Sequence, residues 1–200
     1  MSSGNQVSDN RSVPSDSTIA ANVLVVSATR AEARYVPAGT RLLITGIGKV
    51  AASLALTRAL AQEPEITQII NIGTAGALHD QHSGLFVPSA VLEHDISSAE
   101  LKQMGYPVVD RWELPSGDGT VLATGDTFVA DSGRRAELAT RADLVDMEGA
   151  AIAHVAAAFD IECRLIKVVT DSADEGAMDW PTLVDDAAAR LGDWLVANAG

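Results

Sequence analysis

Val23-Leu24-Val25-Val26-Ser27-Ala28-Thr29-Arg30-Ala31-Glu32 decides the fold. Its apolar, largely β-branched start reads as a buried strand, after which the chain passes through small and polar residues to a carboxylate. The pattern recurs far downstream, where Leu165-Ile166-Lys167-Val168-Val169-Thr170 ends on Asp171. Between the two, Leu144-Val145-Asp146-Met147-Glu148 opens an Ala-rich helical run. Near-continuous apolar strands are those of a parallel sheet covered on both faces, and ligands of open parallel sheets bind beyond the carboxyl ends of the strands. Glu32, Glu148 and Asp171, delivered to that edge, could supply a base, a stabiliser of positive charge and an acid.

Outward from these stretches, apolar runs alternate with Ala/Leu helical patterns, the sign of βα units around a largely parallel sheet. Strands are expected at Asn22–Ser27, Arg41–Thr45, Gln68–Ile72, Leu85–Leu92, Thr120–Ala123 and Arg164–Thr170. Helices are expected at Val50–Gln62, Gly133–Ala139, Met147–Phe159 and Trp180–Ala197. The last has Pro181 in its first turn and Asp185 and Asp186 near its start, as helix beginnings favour. Ser97 to Gly119 lacks a clean period and carries Pro107, Pro115, Gly117 and Gly119, so it reads as a long functional loop or a partner-facing excursion.

The chain has 200 residues, enough for one domain with a substantial core. Hydrophobic residues make up 47% of it and aromatic ones only 4%, which suits close-packed, Ala-rich helices. A net charge of −13 repels phosphate backbones and anionic membrane surfaces, arguing against a nucleic-acid or membrane partner. The single Cys163 lies in a strand-like run and reads as a buried thiol in a reducing compartment. No apolar stretch approaches the roughly 18 residues needed to span a bilayer. The Ser/Asn/Asp/Pro-rich start, residues 1–20, lacks the pattern of a secretory signal and reads as a disordered tail. A cytoplasmic protein is expected.

Gly46-Ile47-Gly48-Lys49-Val50-Ala51 fits the loose dinucleotide-binding pattern. In a Rossmann unit it should follow the first strand, with an acid closing the next one. Here it follows the second, and the third ends at Asn71-Ile72-Gly73, so a tight turn with close helix–sheet packing is the better reading. Asn71-Ile72-Gly73-Thr74-Ala75-Gly76-Ala77 either is an ordinary strand-to-loop turn or brings backbone amides and a hydroxyl against a ligand. Glu148, beside Gly and Ala in an apolar setting, is either a solvated helix-start acid or a carboxylate held at a site. Asp171 is either a turn-forming residue or a carboxyl at a pocket edge with limited water, where the protonated form is favoured. His79, His82, His94 and His154 show no metal-ligand spacing, no GxSxG elbow is present, and Cys163 has no evident base. Neither a metal nor a cofactor is expected.

Taken together, these segments resemble the nucleoside phosphorylase superfamily, and most closely its methylthioadenosine/S-adenosylhomocysteine nucleosidase branch. The resemblance runs from about Asn22 to the C-terminus. Its marks are the strand leading to Glu32, Thr45-Gly46-Ile47-Gly48-Lys49-Val50-Ala51-Ala52, Ile70 to Gly76, Thr124-Gly125-Asp126-Thr127-Phe128, Asp146-Met147-Glu148 with Ala151-Ile152-Ala153-His154, and Thr170-Asp171-Ser172-Ala173-Asp174. Six matches in order are far more specific than any one of them.

The resemblance implies one α/β domain over residues 21–200, with a mixed, mostly parallel central sheet flanked by helices in three layers, and a homodimer with the Ser97–Gly119 region near the partner. It implies hydrolysis of the N-glycosidic bond of a 5′-modified adenosine, a small-molecule nucleoside, with no cofactor. Glu32 would deprotonate the attacking water, Glu148 would bind the ribose hydroxyls, and Asp171 would protonate purine N7. Met147 would pack beneath the sugar, Phe128 would stack on the base and the Val129 backbone would pair with the purine edge. Thr74, Ile47, Asp146 and Thr170 complete the expected binding set. Related enzymes for 6-oxopurines often place Asn where Asp171 stands, so adenine is the favoured base. Phosphorylases of the superfamily carry an Arg where this chain has Asn71, and Ser27 replaces a phosphate-contacting Gly, so water is the expected nucleophile. The alternatives are a phosphate-dependent phosphorylase of the same fold and a non-catalytic nucleoside- or dinucleotide-binding protein.

Overall fold

Side-chain alternation along three neighbouring strands sets the layers. Val23, Val25, Ile70, Ile72, Ile166 and Val168 are buried in one core cluster, while Leu24, Val26, Ile69 and Leu165 are buried in another. A strand sends successive side chains to opposite faces, so this sheet must be covered on both. The structure, a computed structural model, describes residues 19–174 and 180–198. The expected tail therefore lies outside the described residues up to residue 18, while Ile19 is already buried against the second cluster.

In chain order the elements are β1 (Val23–Ser27), β2 (Leu42–Ile44), α1 (Lys49–Gln62), β3 (Gln68–Ala77), β4 (Leu85–Phe86), β5 (Ala90–Glu93) and α2 (Ser98–Gln103). They continue as β6 (Arg111–Glu113), β7 (Val121–Thr124), α3 (Ser132–Leu138), β8 (Leu144–Asp146), α4 (Gly149–Ala158), β9 (Glu162–Asp171) and α5 (Trp180–Asn198). The sheet runs β2-β1-β3-β8-β7-β5-β6, with β9 pairing β3 and β4. Pairings β1–β2, β1–β3, β3–β9, β5–β7 and β7–β8 are parallel; β3–β8, β4–β9 and β5–β6 are antiparallel. The expected single α/β domain with a mixed, mostly parallel sheet is the observed one.

Leu56 and Leu60 of α1 and Ile152 and Ala156 of α4 bury against the Leu24/Ile69/Leu165 side. Ala187, Leu191 and Leu195 of α5 bury against the Val25/Ile70/Ile166 side. Both helices of the first layer are rich in Ala, the residue of highest helix propensity, whose small side chain lets them approach the sheet closely.

Four expectations are corrected. Leu85–Leu92 is two strands, because Pro88 has no N–H for a ladder; Val87 N–H instead donates to Asp118 Oδ2 at 2.7 Å. Ser97–Gly119 is not one loop: it contains α2 and β6, and β6 pairs antiparallel with β5. The strand expected to end at Ile72 runs on through Ala77. Leu144–Asp146 is a strand, so the following helix starts at Gly149 rather than Met147, with Glu148 at its N-cap position.

Candidate active site

The cleft opens where the carboxyl ends of β1, β3, β8 and β9 meet the loop after β7. Its lining includes Glu32, Ile47, Thr74, Phe128, Val129, Asp146, Met147, Glu148 and Asp171. All but one of the residues expected at a site are thus in one place. The exception is Thr170, whose hydroxyl turns back to Asp171 Oδ2 at 2.9 Å and does not line the cleft.

Glu32 follows β1 on a turn and is 5% exposed. Its Oε2 accepts from the Thr29 amide (3.1 Å) and hydroxyl (2.8 Å), and its Oε1 from the Thr74 amide (2.9 Å) and hydroxyl (3.0 Å). Four donors fill the capacity of a carboxylate, so the group is fixed in direction.

Asp171 owes its position to an irregularity in β9. The register with β3 runs Ala75 to Val169 and then Gly76 to Asp171, which leaves Thr170 as an extra residue. A bulge re-aims the side chains beside it. Asp171 Oδ1 accepts from the Ala173 amide at 2.9 Å, and a Cβ on Gly76 would stand 2.9 Å from that same oxygen. Gly76 therefore provides the space that the carboxyl occupies.

Glu148 stands between β8 and α4. Its Oε1 accepts from Gly48 N–H at 2.8 Å, across the cleft floor at the start of α1. Gly48 has φ +93°, a conformation that glycine adopts without strain and that aims this amide at the carboxylate. Burial, and then the neighbouring Asp146, push the Glu148 carboxyl up to about 7, against the opposing pull of Lys167. At neutral pH it is therefore shared between its two protonation states.

Asp146 has a different disposition from a ligand-binding acid. Oδ1 accepts from Thr124 Oγ1 at 2.5 Å, while Oδ2 accepts from Gly149 N–H at 2.9 Å and from Lys167 Nζ at 2.8 Å. Both side chains of that ion pair are only 2% exposed. Burial opposes the charge on Lys167, but Asp146, Glu148 and Glu32 together hold it above the usual lysine range. Sequence reasoning passed over this lysine, although one signal was available: a lone cation inside Leu165–Val169, a run otherwise apolar, needs a buried partner.

In the loop after β7, Phe128 is half-exposed and Val129 buried. Asp126 reaches back to accept from Lys49 N–H at 2.8 Å, and a Cβ on Gly125 would clash with the buried His94 ring at 2.4 Å. Asn71 is buried, donates to Val26 O at 3.0 Å and does not line the cleft. Arg30 is exposed and does not line it either. Cys163 is buried, its thiol pushed up to about 12 by burial. His154 is exposed beside Trp112, ring centroids 5.0 Å apart. Among the described residues, no group of three or more His, Cys, Asp or Glu is placed to hold a metal ion.

The family model of the phosphorylase superfamily matches residues 35–196. A 5′-methylthioadenosine/S-adenosylhomocysteine nucleosidase from Shewanella denitrificans is 33% identical over 192 residues, covering 80% of this chain and 81% of that protein. Another so named, from Shewanella frigidimarina, is 30% identical with the same coverage. Among solved structures, the nucleosidase of Neisseria meningitidis in complex with methylthio-immucillin-A superposes with a TM-score of 0.74, at 24% identity, covering 87% of this chain and 96% of that one. A futalosine hydrolase from Helicobacter pylori has a TM-score of 0.69 at 20% identity, over 86% and 94% of the chains.

Proposed function

Because this chain belongs to the phosphorylase superfamily and is kin within it to the methylthioadenosine/S-adenosylhomocysteine nucleosidases, we propose that its cleft hydrolyses the N-glycosidic bond of a 5′-modified adenosine. The observation that carries this reading is the convergence of Glu32, Glu148 and Asp171 on one cleft walled by Met147, Phe128 and Val129.

In this reaction the C1′–N9 bond breaks with its electron pair leaving on the purine, while positive charge develops on the ribose. Asp171 would deliver a proton to N7, so that adenine leaves neutral. The Thr170 hydroxyl beside it can donate to a carboxylate or accept from a carboxylic acid, and so accommodates both states. Glu148, with Oε1 already engaged by Gly48, would turn its other oxygen to the ribose hydroxyls and stabilise the cation-like sugar away from water. Glu32 would orient water and take its proton as the oxygen bonds to C1′. Asp171 can also accept from a 6-amino group while donating to N7, which favours adenine over 6-oxopurines.

Water rather than phosphate is the proposed nucleophile. A dianion needs charge-assisted bonds, and Asn71, sealed in the sheet, offers the cleft no cation. Incubation with methylthioadenosine, with and without phosphate, tests both points. Adenine and free 5-methylthioribose at equal rates in both conditions are expected. A phosphate-dependent sugar 1-phosphate would assign the phosphorylase instead, and tight nucleoside binding without adenine release would assign a binding protein.

The active species is proposed to be a cytoplasmic homodimer. Ile47, Val50 and Leu54 are exposed at and along the start of α1 beside the cleft, and Met104, Tyr106 and Val109 in the segment between α2 and β6. Among the described residues no helix is long and apolar enough to cross a membrane.

A further inference from the structure

We propose that Lys167 and Asp146 form a positioning pair: their buried ion pair pins the β8–α4 corner, and its ammonium is the counter-charge that favours the ionised form of Glu148. The inference rests on the nucleosidase reading for its purpose, but its physical content does not need turnover.

The geometry is that of one ammonium among three acids. Lys167 Nζ lies 2.8 Å from Asp146 Oδ2. A Cβ on Gly73 would stand 3.2 Å from the same Nζ and 3.3 Å from Glu32 Oε1, so the ammonium and the Glu32 carboxylate flank one glycine. Asp146 in turn binds Thr124 Oγ1 and Gly149 N–H, and Ala150 N–H donates to Thr124 Oγ1 at 2.9 Å. The ion pair thereby ties β7, β8, β9 and the first turn of α4 together immediately beside Glu148. The charged groups acting on Glu148 are Asp146 from β8, Lys167 from β9 and Glu32 from the turn after β1. Asp171 ends β9 on the cleft wall, and Lys49 at the start of α1 is engaged by Glu93 and Asp95. Lys167 is thus the one cation acting on Glu148 from inside the sheet among the described residues.

A buried carboxylate alone reverts to its acid form, and an acid cannot stabilise a cationic sugar. Without the ammonium, the Glu148 carboxyl would hold its proton more tightly. With it, the ammonium offsets part of the push that burial and Asp146 exert on Glu148, and so favours the ionised form. An opposite charge within about 4–6 Å is worth roughly 1–3 pH units to a carboxylate.

The test follows the Glu148 carboxyl directly by 13C NMR in protein labelled at glutamate Cδ, its resonance assigned by loss in Glu148→Gln. Lys167→Met should raise the titration midpoint by about one pH unit or more, Asp146→Asn should lower it, and Lys167→Arg should leave it within about half a unit. Should Lys167→Met not fold, Asp146→Asn/Lys167→Met, which removes both charges together, should fall between the Asp146→Asn midpoint and the raised value. Midpoints unchanged in every folded variant, with only melting temperatures altered, would overturn the pair's electrostatic role and leave it a structural tie. Adenine release by the unaltered protein, measured alongside, reads the nucleosidase assignment separately: its absence would sink that assignment while the titration still decides the pair.

Discussion

Glu148 holds the sharpest electrostatic conflict in the cleft, since its proposed work needs a negative charge and its surroundings resist one. With its carboxyl pushed up to about 7 by burial and by Asp146, the ionised fraction climbs as pH rises through neutrality. The kcat/KM for adenine release should therefore rise about tenfold per unit on the acid side of pH 7 and level off above it; a flat profile between pH 5 and 8 would show that Glu148 need not ionise. At the other end of the bond, Asp171→Asn should lower kcat by a factor of about 10² or more without disturbing the fold, read by steady-state assay and circular dichroism. The three acids were legible because each closes or follows an apolar run, where a carboxylate has no structural reason to be. Lys167 was not, because inside such a run its partner comes from a strand some twenty residues away that only pairing brings near. Asp146 entered the expected binding set through the family resemblance; the direction of its side chain, towards Thr124, Gly149 and Lys167, is tertiary information.

At the scale of elements, the site is made by two departures from regularity. One is the corner at Met147-Glu148, where β8 stops after three residues and α4 begins. So short a strand, opening onto Ala-rich helix, has too little period to announce itself, which is why the helix was expected two residues early. The other is the extra Thr170 in β9, which sets Asp171 opposite Gly76. A continuous apolar strand was evident from Leu165 to Thr170, but a bulge depends on the partner's register and cannot be seen in one strand alone. The bulge makes Gly76 a sensitive position. An added methyl would lie 2.9 Å from both Asp171 Oδ1 and Ala173 Cβ and 3.2 Å from Val145 Cγ1. Because Ala173 N–H anchors that oxygen, Gly76→Ala should displace the acid and cut kcat at least tenfold, with a loss of order 1–3 kcal/mol in denaturant unfolding from overpacking. Activity close to that of the unaltered protein would mean that Asp171 does not act from the position seen.

For the whole molecule, charge sets the terms. Glu148 is one contribution: its folded-state value near 7 lies above the ordinary 4.5, so the folded protein binds a proton the unfolded chain would release. The resulting stability is present at low pH and lost as pH rises through about 7. Glu148→Gln, with no charge to bury, should therefore raise the melting temperature more at pH 8.5 than at pH 5; an equal shift at both would indicate a packing effect alone. The second contribution is the net charge of −13 on each copy, against which the proposed dimer must form. Exposed Ile47, Val50 and Leu54 offer apolar surface beside the cleft, and the α2–β6 segment offers Met104, Tyr106 and Val109. Burial of such surface is insensitive to modest salt, whereas repulsion between like-charged copies is screened over about 10 Å at 0.1 M ionic strength. Dimerisation should accordingly strengthen several-fold between about 0.02 and 0.2 M salt, the reverse of an interface held by ion pairs. Light scattering across this range at micromolar protein should show a rising dimer fraction, and Leu54→Glu should return the protein to monomer. A monomer at every salt concentration would leave that apolar face without its proposed partner.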